Sequence, residues 1–275
     1  NQLVPNNICT NCVSNIEPKH FCANHFANFI DVVRSRKVRN RQELQDLLFR
    51  AVDAANDRFR KAIAARFTVT HGDEIQGLLH PSASDHLVPL CEHFVDAVAP
   101  QRIRFGVGVG GLATELQPLA IGMDGEAWYR ANEAVERARR QRKAFVLEAG
   151  PQRHELTRQV TAVVDFLLTH RALWSENQRE AVQLLEKLGT QQRVAEQLGI
   201  STAAVSKRLA ACLWDQYAAL RDVAVAWVMR AVGSVGDRDS EPARPLADRG
   251  TEAAAFSRRP FAYSVSPVRA MPSTN

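Results

Sequence analysis

The sequence predicts an α+β protein: a ferredoxin-like, palm-type βαββαβ domain over residues 26–148, followed by an all-α domain over 153–232 that carries a helix-turn-helix. Three observations predict it. The hydrophobic period alternates between two and 3.6 residues in the order strand, helix, strand, strand, helix, strand, helix. Residues 66–79, RFTVTHGDEIQGLL, form two β-rich runs that meet at the corner Gly72-Asp73, a hairpin with a carboxylate at its tip. Residues 190–210, TQQRVAEQLGISTAAVSKRLA, place a turn glycine between two short amphipathic segments.

Residues 1–25 are polar and irregular, and 26–33 form an apolar run that reads as a strand. From 40 to 63, Leu44, Leu47, Leu48, Ala51, Val52, Ala55 and Phe59 recur at helical spacing. After the hairpin, Pro81 and Ser82 signal a helix start, and Leu87, Leu90, Cys91, Phe94, Val95 and Val98 continue it over 84–98. Residues 103–111, IRFGVGVGG, alternate with period two and put glycine on one strand face, where something must approach the backbone closely. A further helix is expected over 125–146. The sheet is expected to be antiparallel with its helices on one face. Helices follow at 154–170, 175–188, 191–198, 202–213 and 214–232. Residues 233–275 are rich in Arg, Ser, Pro and Ala without periodicity and read as a disordered tail.

The 275 residues are 45% apolar and 24% charged, ample for packed cores. No apolar run reaches the roughly 18 residues of a membrane span. The N-terminus, NQLVPNNICTNC, has neither the basic start nor the apolar core of a secretory signal, and without an initiator Met it reads as processed or truncated. Five cysteines exclude a complete disulfide framework and point to a reducing cytoplasm. The net charge of +5 is compatible with nucleic acid. The cations cluster over 34–66 and in the run Arg137, Arg139, Arg140, Arg142 and Lys143. Each cluster reads either as a solvated helix face or as a phosphate contact.

Three constellations carry chemistry. In the helix-turn-helix, Gly199 permits the sharp turn and Ser201 caps the second helix. Thr202, Ala203, Ser206, Lys207 and Arg208 are then free to meet base edges and phosphates of DNA. The bland reading is a corner of a helical bundle. The second constellation is acidic: Asp31 in the first strand and Asp73 or Glu74 at the hairpin, candidate ligands for Mg²⁺. Asp73 is preferred, because consecutive strand residues point to opposite faces; the bland reading is a good turn and a strand end. The third is Cys9, Cys12, Cys22 and His25, two short pairs whose separation can close a tetrahedral Zn²⁺ site, with His20 in reserve. Against it, His25 abuts the first strand directly.

Segments DVVRSR (31–36), FTVTHGDEIQGLL (67–79), IRFGVGVG (103–110) and AIGMDGEAWYRANEA (120–134) resemble the SatD family, bacterial proteins of poorly defined biochemistry; the resemblance spans roughly residues 29–145. Ile30 stands where that family usually has Gly. The hairpin is also similar, more distantly, to the turn of diguanylate cyclases and class III nucleotide cyclases. That likeness implies metal ligation by Asp31 and Asp73, with Asp124 and Asn132 near base and ribose; Arg34 or Arg36 is the cation expected to reach phosphate in place of the Arg that cyclases carry further on. Two positions depart from it: His71 stands near the hairpin Gly where ATP-using cyclases commonly carry Lys, and Glu136 stands four residues after Asn132 where they carry Arg, with Arg137 about 100° further round the helix. The helices around 190–210 resemble the region-four module of sigma factors.

Two functions follow as expectations. One is a DNA-binding regulator whose cyclase-like domain senses a nucleotide or forms a homodimer. The other is a Mg²⁺-dependent nucleotidyl cyclase or nucleotidyltransferase acting on an NTP. The carboxylates favour the second, and the missing phosphate-clamping cation favours the first.

Overall fold

The computed structural model describes residues 24–35, 38–70 and 72–232. The candidates Cys9, Cys12, Cys22, Arg36 and His71, and the stretch 233–275, lie outside the described residues.

Among the described residues, eight α-helices and five strands follow the expected alternation, with one addition. Strand β1 (His25–Val32) leads to α1 (Arg41–Arg58), then β2 (Ile63–Val69), β3 (Glu74–Leu79), α2 (Leu87–Ala97), β4 (Ile103–Gly110), α3 (Glu126–Gln141) and β5 (Phe145–Glu148). The sheet order is β2-β3-β1-β4-β5. The pairings β2–β3, β3–β1 and β1–β4 are antiparallel, whereas β5 pairs parallel with β4. The expected all-antiparallel sheet is therefore mixed. The signal was hidden because Phe145–Glu148 is a short, fully covered strand, and such an apolar run looks like the end of a helix.

Helices also cover both faces, not one. A parallel β4–β5 pair needs a crossover, and α3 supplies it. Along β4, Ile103, Phe105, Val107 and Val109 enter the main core with α1 and α2. The alternate positions Gly106, Gly108 and Gly110 lie under α3. A Cβ on Gly108 would collide with the Ala127 carbonyl oxygen and the Ala131 nitrogen, and one on Gly106 with the Val135 nitrogen. Helix α3 answers with its own small stripe: Ala127, Ala131, Ala134 and Ala138 are fully buried. The close approach expected at these glycines is thus helix on strand.

In β2, the register shifts between Ala65 and Thr68. Such a bulge leaves Phe67 without ladder partners. Buried Asn56 of α1 replaces them: its Nδ2 donates to the Phe67 carbonyl at 2.9 Å, and its Oδ1 accepts from the Phe67 amide at 2.9 Å.

The remaining helices are α4 (His154–Arg171), α5 (Glu176–Leu188), α6 (Gln191–Leu198), α7 (Thr202–Ala211) and α8 (Trp214–Val232). They share one hydrophobic core with the sheet. Helix α4 also satisfies the open edge of β5. Asp165 Oδ1 accepts from the Ala144 amide at 2.6 Å, and Thr161 Oγ1 accepts from the Leu147 amide at 3.1 Å. At the centre, buried Arg171 of α4 meets Asp96 of α2 through two bonds of 3.0 and 2.7 Å, and lies 3.5 Å from Glu92. Tyr217 of α8 donates its hydroxyl to Glu92 at 2.6 Å. Desolvation raises the Glu92 carboxyl above its usual range, and Arg171 opposes that rise. No described helix is long and apolar enough to cross a membrane.

Candidate functional site

The carboxyl end of β1 gathers the acidic candidates Asp31, Asp73 and Glu74. Asp31 pairs in register with Glu74 on one side and Arg104 on the other. The Val32 amide donates to the Asp73 carbonyl at 3.4 Å. Asp31, Asp73 and Glu74 therefore lie at adjoining strand ends. The register corrects one expectation: directly opposed residues share a sheet face, so Glu74, not Asp73, is on the face of Asp31. Asp73 sits in the turn after Gly72, whose φ of 80° is the left-handed conformation expected of that corner. The Glu74 carboxylate is engaged along its own strand, accepting from Gln76 Nε2 at 2.7 Å.

Asp31 is largely shielded from solvent, and both its oxygens face guanidinium groups. Arg104 Nη1 donates to Oδ2 at 2.9 Å, and Arg139 Nη2 of α3 lies 3.4 Å from Oδ1. To coordinate Mg²⁺, Asp31 would have to give up at least one of these guanidinium contacts. Among the described residues, no three His, Cys, Asp or Glu side chains are grouped so as to hold a metal ion. His25, the one described member of the Zn²⁺ candidate, is buried at the start of β1 opposite Gly110.

Beside this end of the sheet lies a cavity of about 810 Å³. The β1–α1 connection, the start of β4, the end of α3 and Thr169 of α4 line it. Its cations are Arg34, Arg39, Arg102, Arg142 and Lys143, with the two Asp31 partners, Arg104 and Arg139. Two of them, Arg34 and Arg142, have the positive φ values of 58° and 57°. The sequence marked the 137–143 cations as helix face or phosphate contact. The fold turns three of them, Arg139, Arg142 and Lys143, toward the cavity, while Arg137 pairs with Glu148. Arg102 and Arg104 were not singled out. The signal for Arg104 was its period-two alignment with the β4 glycines, which shows only once β4 is paired with β1.

Asp124 and Asn132 are not brought to this end. Asp124 is tied to the start of α3, with Oδ1 accepting from the Gly125 amide at 2.7 Å and Oδ2 from the Tyr129 hydroxyl at 2.9 Å. Asn132 is exposed further along α3. From Asp124 to Arg139 the helix rises roughly 20 Å. Arg34 and Asp31 thus share a neighbourhood, and Asp124 and Asn132 belong elsewhere.

Helices α6 and α7 meet at Gly199, with φ of 64°, and Ser201 Oγ accepts from the Ala204 amide at 3.2 Å. Val194, Ala195, Val205 and Leu209 face the core. Thr202, Ala203, Ser206 and Lys207 are exposed, while Arg208 is half-buried and lies 3.4 Å from Glu180 of α5.

The class defined so far is an α+β protein with helices on both faces of a mixed sheet and a cation-rich cavity at one sheet end. The chain belongs to the SatD family, whose family model matches residues 25–228. No functionally curated protein matches it. Among solved structures it is similar to a bacterial light-regulated adenylyl cyclase, at 13% identity and a TM-score of 0.37 over 46% of this chain and 75% of that one. It is also similar to the dimeric guanylyl cyclase domain of the RhoGC fusion protein from the aquatic fungus Blastocladiella emersonii, at 15% identity and a TM-score of 0.34 over 43% and 75% of the two chains. A third is the guanylate cyclase domain of RhGC from Catenaria anguillulae in complex with GTP, at 16% identity and a TM-score of 0.32 over 42% and 73%. Likeness at this level assigns no activity to this chain.

Proposed function

We propose that this protein is a DNA-binding regulator, with α6 and α7 as its helix-turn-helix and the sheet region as a ligand-sensing or dimerising part. One observation carries the reading. Helix α7 is buried along Val205 and Leu209 and leaves Thr202, Ala203, Ser206 and Lys207 open. Short polar groups and a cation at the start of a second helix are what base edges and phosphates require. The test is binding of the full chain to duplex DNA, selected from a random library and measured by fluorescence anisotropy over a range of salt. Affinity should fall steeply with salt as counterion release is lost. Lys207→Glu should weaken binding about tenfold or more; unchanged affinity removes the reading. Lys207 is the cleaner probe, because reversing Arg208 also disturbs its pairing with Glu180.

A second reading, a Mg²⁺-dependent nucleotidyl cyclase or nucleotidyltransferase, is favoured by the convergence of Asp31, Asp73 and Glu74 at adjoining strand ends. The engagement of both Asp31 oxygens by arginine supports the first reading over it. Incubation with each NTP and Mg²⁺ or Mn²⁺ separates the two: product formation that Asp31→Asn abolishes favours the enzyme.

A further inference from the structure

We infer that the cavity at the carboxyl end of β1 binds a small polyphosphate anion without a metal ion, and that the Asp31 carboxylate occupies part of this anion site when the ligand is absent. The inference does not depend on DNA binding or on cyclase chemistry.

Charge is the first argument. Seven cations surround one cavity, and its lining contains no Asp or Glu. Cations at the end of a helix offset its dipole. That accounts for Arg139 and Arg142, at the end of α3, but not for Arg34, Arg39 and Arg102, which come from the β1–α1 connection and the start of β4. Arg34, Arg39, Arg102 and Arg142 are exposed, so water screens part of their mutual repulsion, and an anion that joins them removes the rest. Asp31 offsets Arg104 and Arg139, and Arg34, Arg39 and Arg102 are left with neither explanation.

Backbone conformation is the second argument. Arg142 is the residue that ends α3, in the left-handed conformation. Gly is the ordinary residue there because it lacks the Cβ penalty, on the order of 1 kcal/mol. Arg34 has the same unfavourable conformation. Both strained positions hold guanidinium groups on the wall of the same cavity. Strain kept at two cations of one cavity points to a use for them.

Shape selects the ligand class. At about 810 Å³ the cavity is within the size range of small-molecule sites. Guanidinium groups bind phosphate through paired hydrogen bonds, and a triphosphate offers enough charge for several at once. Arg34, Arg39, Arg102 and Arg142 are exposed along the cavity, so a single-stranded nucleic acid is the competing occupant that the titration separates. The shared chemistry is a run of linked phosphates, from a nucleotide or from inorganic polyphosphate.

Calorimetric titration of the full chain in EDTA tests this, with inorganic triphosphate, ATP, GTP and a single-stranded oligonucleotide as probes. Metal-free, saturable binding of triphosphate is expected. Equal affinities for triphosphate and nucleotide assign the site to phosphate alone, and tighter binding of ATP or GTP assigns it to nucleotides. Arg142→Gly should lower affinity on the order of tenfold while leaving thermal stability equal or higher, a pairing that a merely structural arginine cannot give. Asp31→Asn should raise metal-free affinity several-fold, because the internal competitor is gone; a carboxylate acting as a metal ligand predicts no such gain. Absence of triphosphate binding to the wild type, binding of the oligonucleotide alone, or unchanged affinity in Arg142→Gly overturns the anion site. Binding that Asp31→Asn does not tighten overturns the role given to Asp31.

Discussion

Arg104 stands directly across the β1–β4 ladder from Asp31, with its Nη1 2.9 Å from Asp31 Oδ2. Both side chains are mostly buried, and α3 adds Arg139 from above the same face. The pair therefore fixes the most charged end of the sheet. A double-mutant cycle with Asp31→Ala and Arg104→Ala should return a coupling on the order of 1–3 kcal/mol. Chemical denaturation of the four proteins measures it. A coupling indistinguishable from zero would mean that the pair does not organise this end.

Gly108 lies against the backbone of α3, so a methyl group has nowhere to go. Gly108→Ala should destabilise the fold by about 1–3 kcal/mol or more through overpacking. Gly122, whose φ of 72° is in the left-handed region that Gly108 does not visit, has open space around it. Substitution there carries only the conformational penalty of about 1 kcal/mol. Comparing the two midpoints separates lack of space from backbone strain.

Arg171 is buried between two carboxylates and over Trp174. Removing it takes the most buried cation from Glu92 and Asp96, leaving Arg221 3.6 Å from Glu92 and Arg179 4.0 Å from Asp96. Arg171→Ala should cost about 3–5 kcal/mol. Arg171→Met combined with Glu92→Gln and Asp96→Asn should recover much of that loss, because no buried charge is stranded. Equal destabilisation by the single and triple changes would show that packing, not charge, sets the cost.

Burial, followed by the charge of Glu92, pushes the Tyr217 hydroxyl well above the ordinary tyrosine range. A raised value in the folded state means that the neutral phenol favours folding. Its contribution is complete below about pH 10 and fades as pH rises through the ordinary value toward Tyr217's own. The wild type should lose stability above pH 10 more steeply than Tyr217→Phe, which cannot ionise there. At pH 7 the substitution should cost about 1–3 kcal/mol, since Glu92 loses a buried hydrogen-bond donor. Parallel alkaline profiles for the two proteins would exclude Tyr217 as the titrating group.

Much of the fold was legible because its signals are local. The β2–β3 hairpin is encoded by a Gly-Asp corner between β-rich runs, and the α6–α7 turn by Gly199 and Ser201. The glycine stripe of β4 announced a close approach, and α3 makes it. Phe145–Glu148 was not legible as a strand, because a run that short and apolar carries no period of its own. Within the candidate site, Asp31, Asp73, Glu74 and Arg34 were found as residue types near strand ends. Arg102, Arg104, Arg139, Arg142 and Lys143 are 70 or more residues from Asp31 in the chain, and only strand pairing and the α3 crossover bring them close.

By itself the sequence determined which segments alternate with period two or 3.6, where the chain turns, and which residues carry charge, since these depend on neighbours along the chain. Tertiary structure decided which charges meet. It set β1 between β3 and β4, so that Asp31 faces arginine where a metal was expected, and it returned α3 across the sheet so that its basic end closes a cavity. Pairing and crossover are decided by burial of the whole sheet on both faces, a quantity that no single segment contains.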